Sequence, residues 1–312
     1  MKLVTLFLSL LFSLTLFSQE NIISEDILIM NDSIKLPGTL SYNKALKSQP
    51  LAIFIHGSGN VDRNGNQKQV NINANYIKQL ADSLNAKGIA FYRYEKRTAT
   101  KENLKFIMKD LSFNRFIEDA NLTINKFKDD IRFNSITLIG HSQGSLVGML
   151  AAQNKHVNKY ISLAGVSEDM GNFIINSYKL YCNEMGEMAK KQIDELMETG
   201  TIKEVNPAFA HLFSKPNQSF FISWAAYNPS EEIKKLKIPV LILNGTKDLQ
   251  VKIEEANKLH TAKPDSEIVI IENMNHVLKT VEKDEDNMKT YFSPDYPLSL
   301  ELVNTIETFI NK

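Results

Sequence analysis

The chain has 312 residues, 43% hydrophobic and 23% charged. This globular composition excludes a disordered, collagen-like or coiled-coil protein, and the length suits two domains or one large α/β domain. With 36 Lys and Arg against 36 Asp and Glu, no basic excess exists to neutralise phosphates, which excludes nucleic-acid binding as the main role. Cys182 is the sole cysteine, so an intrachain disulfide and Cys-based zinc or iron–sulfur centres are excluded too.

Residues 1–18 stand apart. Lys2 precedes an uncharged run, Leu3–Phe17, shorter than the ~20 residues that a membrane span requires. Ser18 closes it, and the polar Gln19, Glu20 and Asn21 follow at once. The pattern predicts a secretory signal peptide cut near Ser18–Gln19, and hence a periplasmic or extracellular protein with no stable membrane insertion after signal removal. An uncleaved N-terminal anchor is the alternative. No cysteine near the cut offers a lipid acceptor.

After the signal, short apolar runs alternate with longer amphipathic ones. Asp26–Met30 and Ile34–Tyr42 are predicted strands around a turn at Asn31-Asp32-Ser33. Leu51–Ile55 is a continuous apolar run, as expected of a strand buried on both faces. Tyr76–Lys87 has helical spacing closed by Gly88. Ile89–Tyr94 is a strand, Phe113–Phe127 a helix, Ser135–Ile139 a strand, Gly144–Gln153 a helix and Tyr160–Ala164 a strand. Residues 166–236 then break the rhythm, with no good strand and much helix. Met185–Met197 is one amphipathic stretch, and Pro207, Pro216 and Pro229 punctuate the rest. Alternation resumes with a strand at Pro239–Asn244, a helix over Ile253–Leu259, a strand at Glu267–Glu272 and a closing helix over Leu298–Ile310. This order predicts a doubly wound, mostly parallel α/β sheet built from residues 19–165 and 237–312, with 166–236 inserted.

The sharpest motif is Gly140-His141-Ser142-Gln143-Gly144, a G-x-S-x-G between a predicted strand and a predicted helix. There a serine is held in a strained turn at a helix N-terminus, and small flanking residues let strand and helix come close. A serine needs a base, and the base an orienting acid. Asp248 follows the strand at Pro239–Asn244, and His276 follows the strand at Glu267–Glu272. Both stand where open α/β sheets gather their sites, in the chain order Ser, Asp, His expected of this turn. Asp169, after the strand at Tyr160–Ala164, is a rival acid, whereas Asp265 lies at the wrong end of its strand. His156, His211 and His260 fall in helical or inserted segments and read as surface or packing residues.

These residues carry a resemblance to the α/β-hydrolase superfamily, and within it to bacterial exported carboxylesterases and serine aminopeptidase-like hydrolases. It runs from about Ile34 to the C-terminus. Its further marks are Leu36-Pro37-Gly38-Thr39-Leu40, His56-Gly57-Ser58-Gly59 and Tyr92-Arg93-Tyr94-Glu95-Lys96-Arg97. The resemblance implies that residues 166–236 form a helical cap over the site. Acyl transfer needs two backbone N–H donors for the developing oxyanion. They are expected from Gln143 and from the loop after Leu51–Ile55, at Ser58 with Gly57 close behind, while His56 fixes that loop. The chain departs from its relatives at Thr98-Ala99-Thr100, where Gly and small residues are usual. In the cap, Met185, Met188, Met197, Phe209, Phe213, Phe220, Phe221 and Trp224 are expected either to line an acyl pocket or to pack as ordinary helix core.

The expected activity is hydrolysis of a small-molecule carboxylic ester through an acyl-enzyme on Ser142, His276 and Asp248, with no metal and no cofactor. Peptidase or amidase chemistry on the same residues is the alternative, and a non-catalytic binding protein on a hydrolase scaffold a third. The sequence assigns no oligomeric state.

Overall fold

The computed structural model describes residues 21–108 and 110–312; the predicted signal peptide and its cleavage site lie outside them. Strands β1 (Ile22–Asn31) and β2 (Ile34–Asn43) form an antiparallel hairpin, and β2 pairs antiparallel with β6 (Ala90–Tyr94). From β6 onward the sheet is parallel, through β3 (Gln49–Ile55), β7 (Phe133–His141), β8 (Lys159–Leu163), β9 (Val240–Gly245) and β10 (Glu267–Ile271). The eight-stranded order is β1-β2-β6-β3-β7-β8-β9-β10. A small second sheet, β4 (Asn66–Gln67) with β5 (Ile72–Asn73), was not visible in the sequence, since two-residue strands carry no periodicity.

Alternation of side chains along the buried strands divides the core in two. Leu51, Ile53 and Ile55 of β3 face one cluster together with Tyr92, Leu138 and Ile242. Ala52 and Phe54 face the other with Phe91, Ile139, Leu241 and Leu243. Helices α1 (Tyr76–Asn85) and α11 (Leu300–Asn311) cover the second face. The first is covered by α3 (Asn114–Phe127), α4 (Gln143–Ala151) and α10 (Ile253–Ala262), and the single turn α2 (Leu104–Ile107) adds Ile107 there. Helix α1 ends sooner than its apolar spacing predicts: Ala86 and Lys87 turn out of it before Gly88, at φ 77°.

Between β8 and β9 the chain forms helices and no strand: α5 (Met170–Tyr181), α6 (Asn183–Thr199), α7 (Ala210–Phe213), α8 (Lys215–Ala225) and α9 (Pro229–Lys234). It has a core of its own, in which Ile174, Ile193, Leu196, Phe209, Phe213 and Phe221 pack together. Phe113 clamps it to the sheet layer, stacking on Trp224 at 5.7 Å between ring centroids while its N–H donates to Ser223 Oγ.

The crossover from β3 runs outward to β6, and the next returns past β3 to β7. The strand order therefore switches direction between β3 and β7, the crevice where open α/β sheets place their ligand sites.

Candidate functional site

Ser142 sits between β7 and α4 with φ 54° and ψ −123°, outside the basins that L-residues normally occupy. The flanking glycines allow it. A Cβ on Gly140 would meet Gly144 O at 2.4 Å, and one on Gly144 would meet Ile55 O at 2.3 Å and His56 O at 2.4 Å. Strand, turn and helix pass too closely for any side chain at either position. Ser142 N–H donates to Leu163 O of β8 at 2.9 Å, so the turn is anchored to the neighbouring strand.

Asp248 and His276 meet after β9 and β10. Asp248 Oδ1 accepts from the N–H groups of Gln250 (2.8 Å) and Val251 (2.9 Å), and Oδ2 faces His276 Nδ1 at 2.8 Å. Burial opposes ionisation of Asp248, but His276 and the two N–H donors outweigh it and hold the carboxyl below its usual range. The loops are braced against each other: Lys247 N–H donates to Met274 O at 3.0 Å, and Asn275 is tied by its side chain to Asn287 and Thr290.

His141 was not singled out from the sequence, yet it connects the two halves. Its Nε2 lies 2.9 Å from the carbonyl of His276, so the ring donates there and its Nδ1 faces Tyr76 OH at 3.5 Å. Burial, then the adjacent His276, lower its pKa to about 3 and keep it neutral. The residue before Ser142 thus fixes the backbone of His276. On the other side, a Cβ on Gly57 would lie 3.1 Å from Ser142 Cβ, which puts the loop after β3 against the serine.

The other sequence candidates separate cleanly. Asp169 caps α5, accepting from Asn172 N–H at 3.0 Å and Asn172 Nδ2 at 2.6 Å, away from any histidine. Asp265 pairs with Lys263, and His260 Nδ1 contacts Ser266 Oγ. His56 is buried against Tyr94 and driven to a pKa of about 3, mainly by burial and then by Lys96, so it holds the loop as a neutral ring. Cys182 is exposed between α5 and α6. Among the described residues no cluster of His, Cys, Asp or Glu could hold a metal ion, and no helix is long and apolar enough to cross a membrane.

A cavity of about 680 Å³ lies at Ser142. Ser58, Lys96, Ser142 and Gln143 form its floor, and Phe173, Phe220 and Trp224 contribute to its apolar wall. The inserted helices therefore face Ser142. The cap expectation for individual side chains divides: Phe220, Phe221 and Trp224 line the cavity. Phe209 and Phe213 are instead fully buried in the inserted segment's own core, Met185 packs against that core, and Met188 and Met197 are exposed. Of the two alternatives the methionines of α6 do not take the lining, because α6 packs its apolar face on α5 and not on the cavity; Met170 of α5 lines it instead. His211, expected at the surface or in packing, also lies on the cavity wall.

Ser58 and Gln143, the two residues expected to offer N–H groups to an oxyanion, line the cavity together with Ser142. Gln143 N–H is in the first turn of α4, where helical N–H groups have no intrahelical acceptor and the helix dipole is positive. Ser58 is exposed on the loop facing it. An imidazole fixed at Nδ1 by a buried carboxylate is set to take a proton at Nε2.

Solved structures similar to this chain are Est1E from Butyrivibrio proteoclasticus (18% identity, 92% of this chain and 97% of that one, TM-score 0.57) and the Pyrococcus furiosus esterase Pf2001 (16%, 93% and 90%, TM-score 0.57). The Pyrococcus horikoshii acylaminoacyl peptidase is also similar (13% identity, TM-score 0.58), with 94% of this chain matching 41% of that one. At these identities the likeness is one of fold. No curated protein matches the sequence. A family model described as BD-FAE matches residues 40–262, well over half of the chain. The chain belongs to the BD-FAE family, of the α/β-hydrolase type.

Proposed function

We propose that the protein is an exported serine hydrolase that cleaves small to medium carboxylic esters. The observation that carries this reading is the buried Asp248–His276 contact at 2.8 Å, behind a serine held at φ 54° on the floor of a largely apolar cavity. Ser142 Oγ attacks the ester carbonyl while His276 takes its proton. The oxyanion is received by the N–H groups of Ser58 and Gln143. Collapse expels the alcohol, which takes the proton back from His276. Water, deprotonated by the same imidazole, then attacks the acyl-enzyme and releases the acid and Ser142. Residues 166–236 act as a cap whose aromatic wall receives the acyl group. The solved structure of Est1E with ferulic acid bound is in keeping with an aromatic acyl group in such a site.

Ester chemistry is favoured over aminopeptidase chemistry by one feature of the wall. Glu168 is the cavity's carboxylate, and it is already engaged by Lys258 and Asn176 rather than free to receive a substrate ammonium. Two measurements test the reading. Fluorophosphonate should label Ser142 and abolish turnover; an unlabelled, inert protein would favour a binding role. A panel of p-nitrophenyl esters beside aminoacyl-nitroanilides should show turnover of the esters, and faster turnover of the anilides would overturn the substrate assignment. Export rests on the uncharged run Leu3–Phe17. Mass spectrometry of protein from the native host should find a start at or near Gln19, and a recovered Met1 on membrane-bound protein would indicate an anchor.

A further inference from the structure

Lys96 is the second residue after β6 and is buried at 6% exposure. Its Nζ donates to Gly57 O at 2.7 Å and to Gln143 Oε1 at 2.7 Å, and the ammonium lies 4.6 Å from the centroid of the Phe116 ring. Among the described residues it makes no ion pair. The charged pair beside it, Arg97 with Asp119, has partners of its own: Arg97 Nε lies 2.7 Å from Asp119 Oδ2, Asn31 Nδ2 donates to Asp119 Oδ1 and Arg97 Nη2 to Arg115 O. His56 on the same side is neutral, and burial lowers the pKa of Lys96 itself to about 7.

A buried cation with no carboxylate partner is costly to keep, and one that merely tied down a loop could be replaced by a neutral donor. The two acceptors of Lys96 are informative. Gly57 O belongs to the same peptide group as Ser58 N–H. In a trans peptide the two point in opposite directions, so a cation on the oxygen fixes the direction of that N–H and polarises it. Gln143 is the residue that supplies the other N–H. One Nζ thus holds the peptide of one expected donor and the side chain of the residue expected to supply the other, and when protonated it brings positive charge to the cavity, which it also lines.

We propose that Lys96 is the positioning residue of the oxyanion hole, holding the Gly57–Ser58 peptide and Gln143 in register and, in its protonated form, supplying positive potential to the anionic transition state. This rests on the reading of Ser142 as nucleophile. Such a residue acts on charge that develops only in the transition state, so its loss lowers kcat and leaves KM nearly unchanged.

The test compares wild type, Lys96→Met and Gln143→Met on one p-nitrophenyl ester, with active sites counted by fluorophosphonate titration so that misfolded protein does not contribute. Per titrated site, Lys96→Met should lose on the order of 10²-fold in kcat, with KM within about threefold of wild type. Gln143→Met keeps the Gly57 contact and should lose about tenfold. A purely structural lysine would instead lower the titrated fraction and the melting temperature and leave kcat per site unchanged, and that result overturns the proposal. If Lys96→Met does not fold, wild-type kcat in Gln143→Met overturns it alone. Wild-type protein that fails to label at Ser142 defeats the underlying hydrolase reading; labelled wild type with undiminished variants defeats only the role of Lys96.

Discussion

The loops after β3, β7 and β9 and the helices between β8 and β9 line one cavity, with the loop after β10 bonded to the serine turn through His141, but they are held in different ways. The loops are fixed by hydrogen bonds: Ser142 by Leu163 O, Asp248 by two N–H groups, His276 by the side chain of His141 and the bracing of Asn275. Such contacts set atoms to within fractions of an ångström, as reacting groups require. The helices are held by side-chain packing around Ile193, Leu196, Phe209 and Phe213, and by the Phe113 clamp. Packing of this kind tolerates exchange among residues of similar volume, which suits a wall that sorts substrates by shape. Under the proposed function the first region carries the chemistry and the second the selection, and substitutions should separate the two.

The largest effect is expected at Ser142. Ser142→Ala should remove fluorophosphonate labelling and reduce kcat by as much as about 10⁶-fold while the circular dichroism spectrum is kept; full activity in the purified variant would contradict the assignment. Next comes the orienting carboxylate. Asp248→Asn should cost up to about 10⁴-fold in kcat, because the imidazole loses the partner that sets its tautomer, whereas Asp169→Asn should leave kcat within a few-fold. The reverse ranking would place the acid after β8.

Across the cavity the expected signature changes from rate to selectivity. Trp224→Ala enlarges the apolar wall and should shift the ratio of kcat/KM between short and bulky esters by about 10- to 100-fold, with little effect on fluorophosphonate labelling. Unchanged ratios across the panel would mean that the inserted helices do not shape the acyl site, and attention would move to Thr98 on the opposite rim. The smallest effect belongs to the cap of α5. Asp169→Ala removes the side-chain acceptor for Asn172 N–H and should cost about 1 kcal/mol in denaturant unfolding, without altering the ester profile.

The pH dependence of stability gives a further check on the Asp248–His276 contact. Asp248 has its pKa lowered in the folded state, so it contributes stability above the unfolded carboxylate value, and this is lost as pH falls through the folded one. Asp248→Asn should flatten the acid side of a melting-temperature profile; a profile unchanged by the substitution would show that the carboxylate carries no such linkage.

The sequence by itself determined the doubly wound sheet, the serine turn and the placing of Asp248 and His276 after the last two strands. These features are written in local patterns: continuous apolar runs for strands buried on both faces, and two glycines that the crossing of β3, β7 and α4 makes obligatory. Asp169 stayed open as a rival to Asp248 in the sequence, and the contact of Asp248 with His276 appears only in the folded chain. The tertiary structure alone decided the rest. That His141 fixes His276, that Lys96 reaches both Gly57 and Gln143, and that Phe220 faces the cavity while Phe213 does not are matters of side-chain direction across large sequence separations. The helical period marks an apolar face but not which of two apolar neighbours, a core or a cavity, that face will meet. For that the whole sheet and its inserted helices had to be in place.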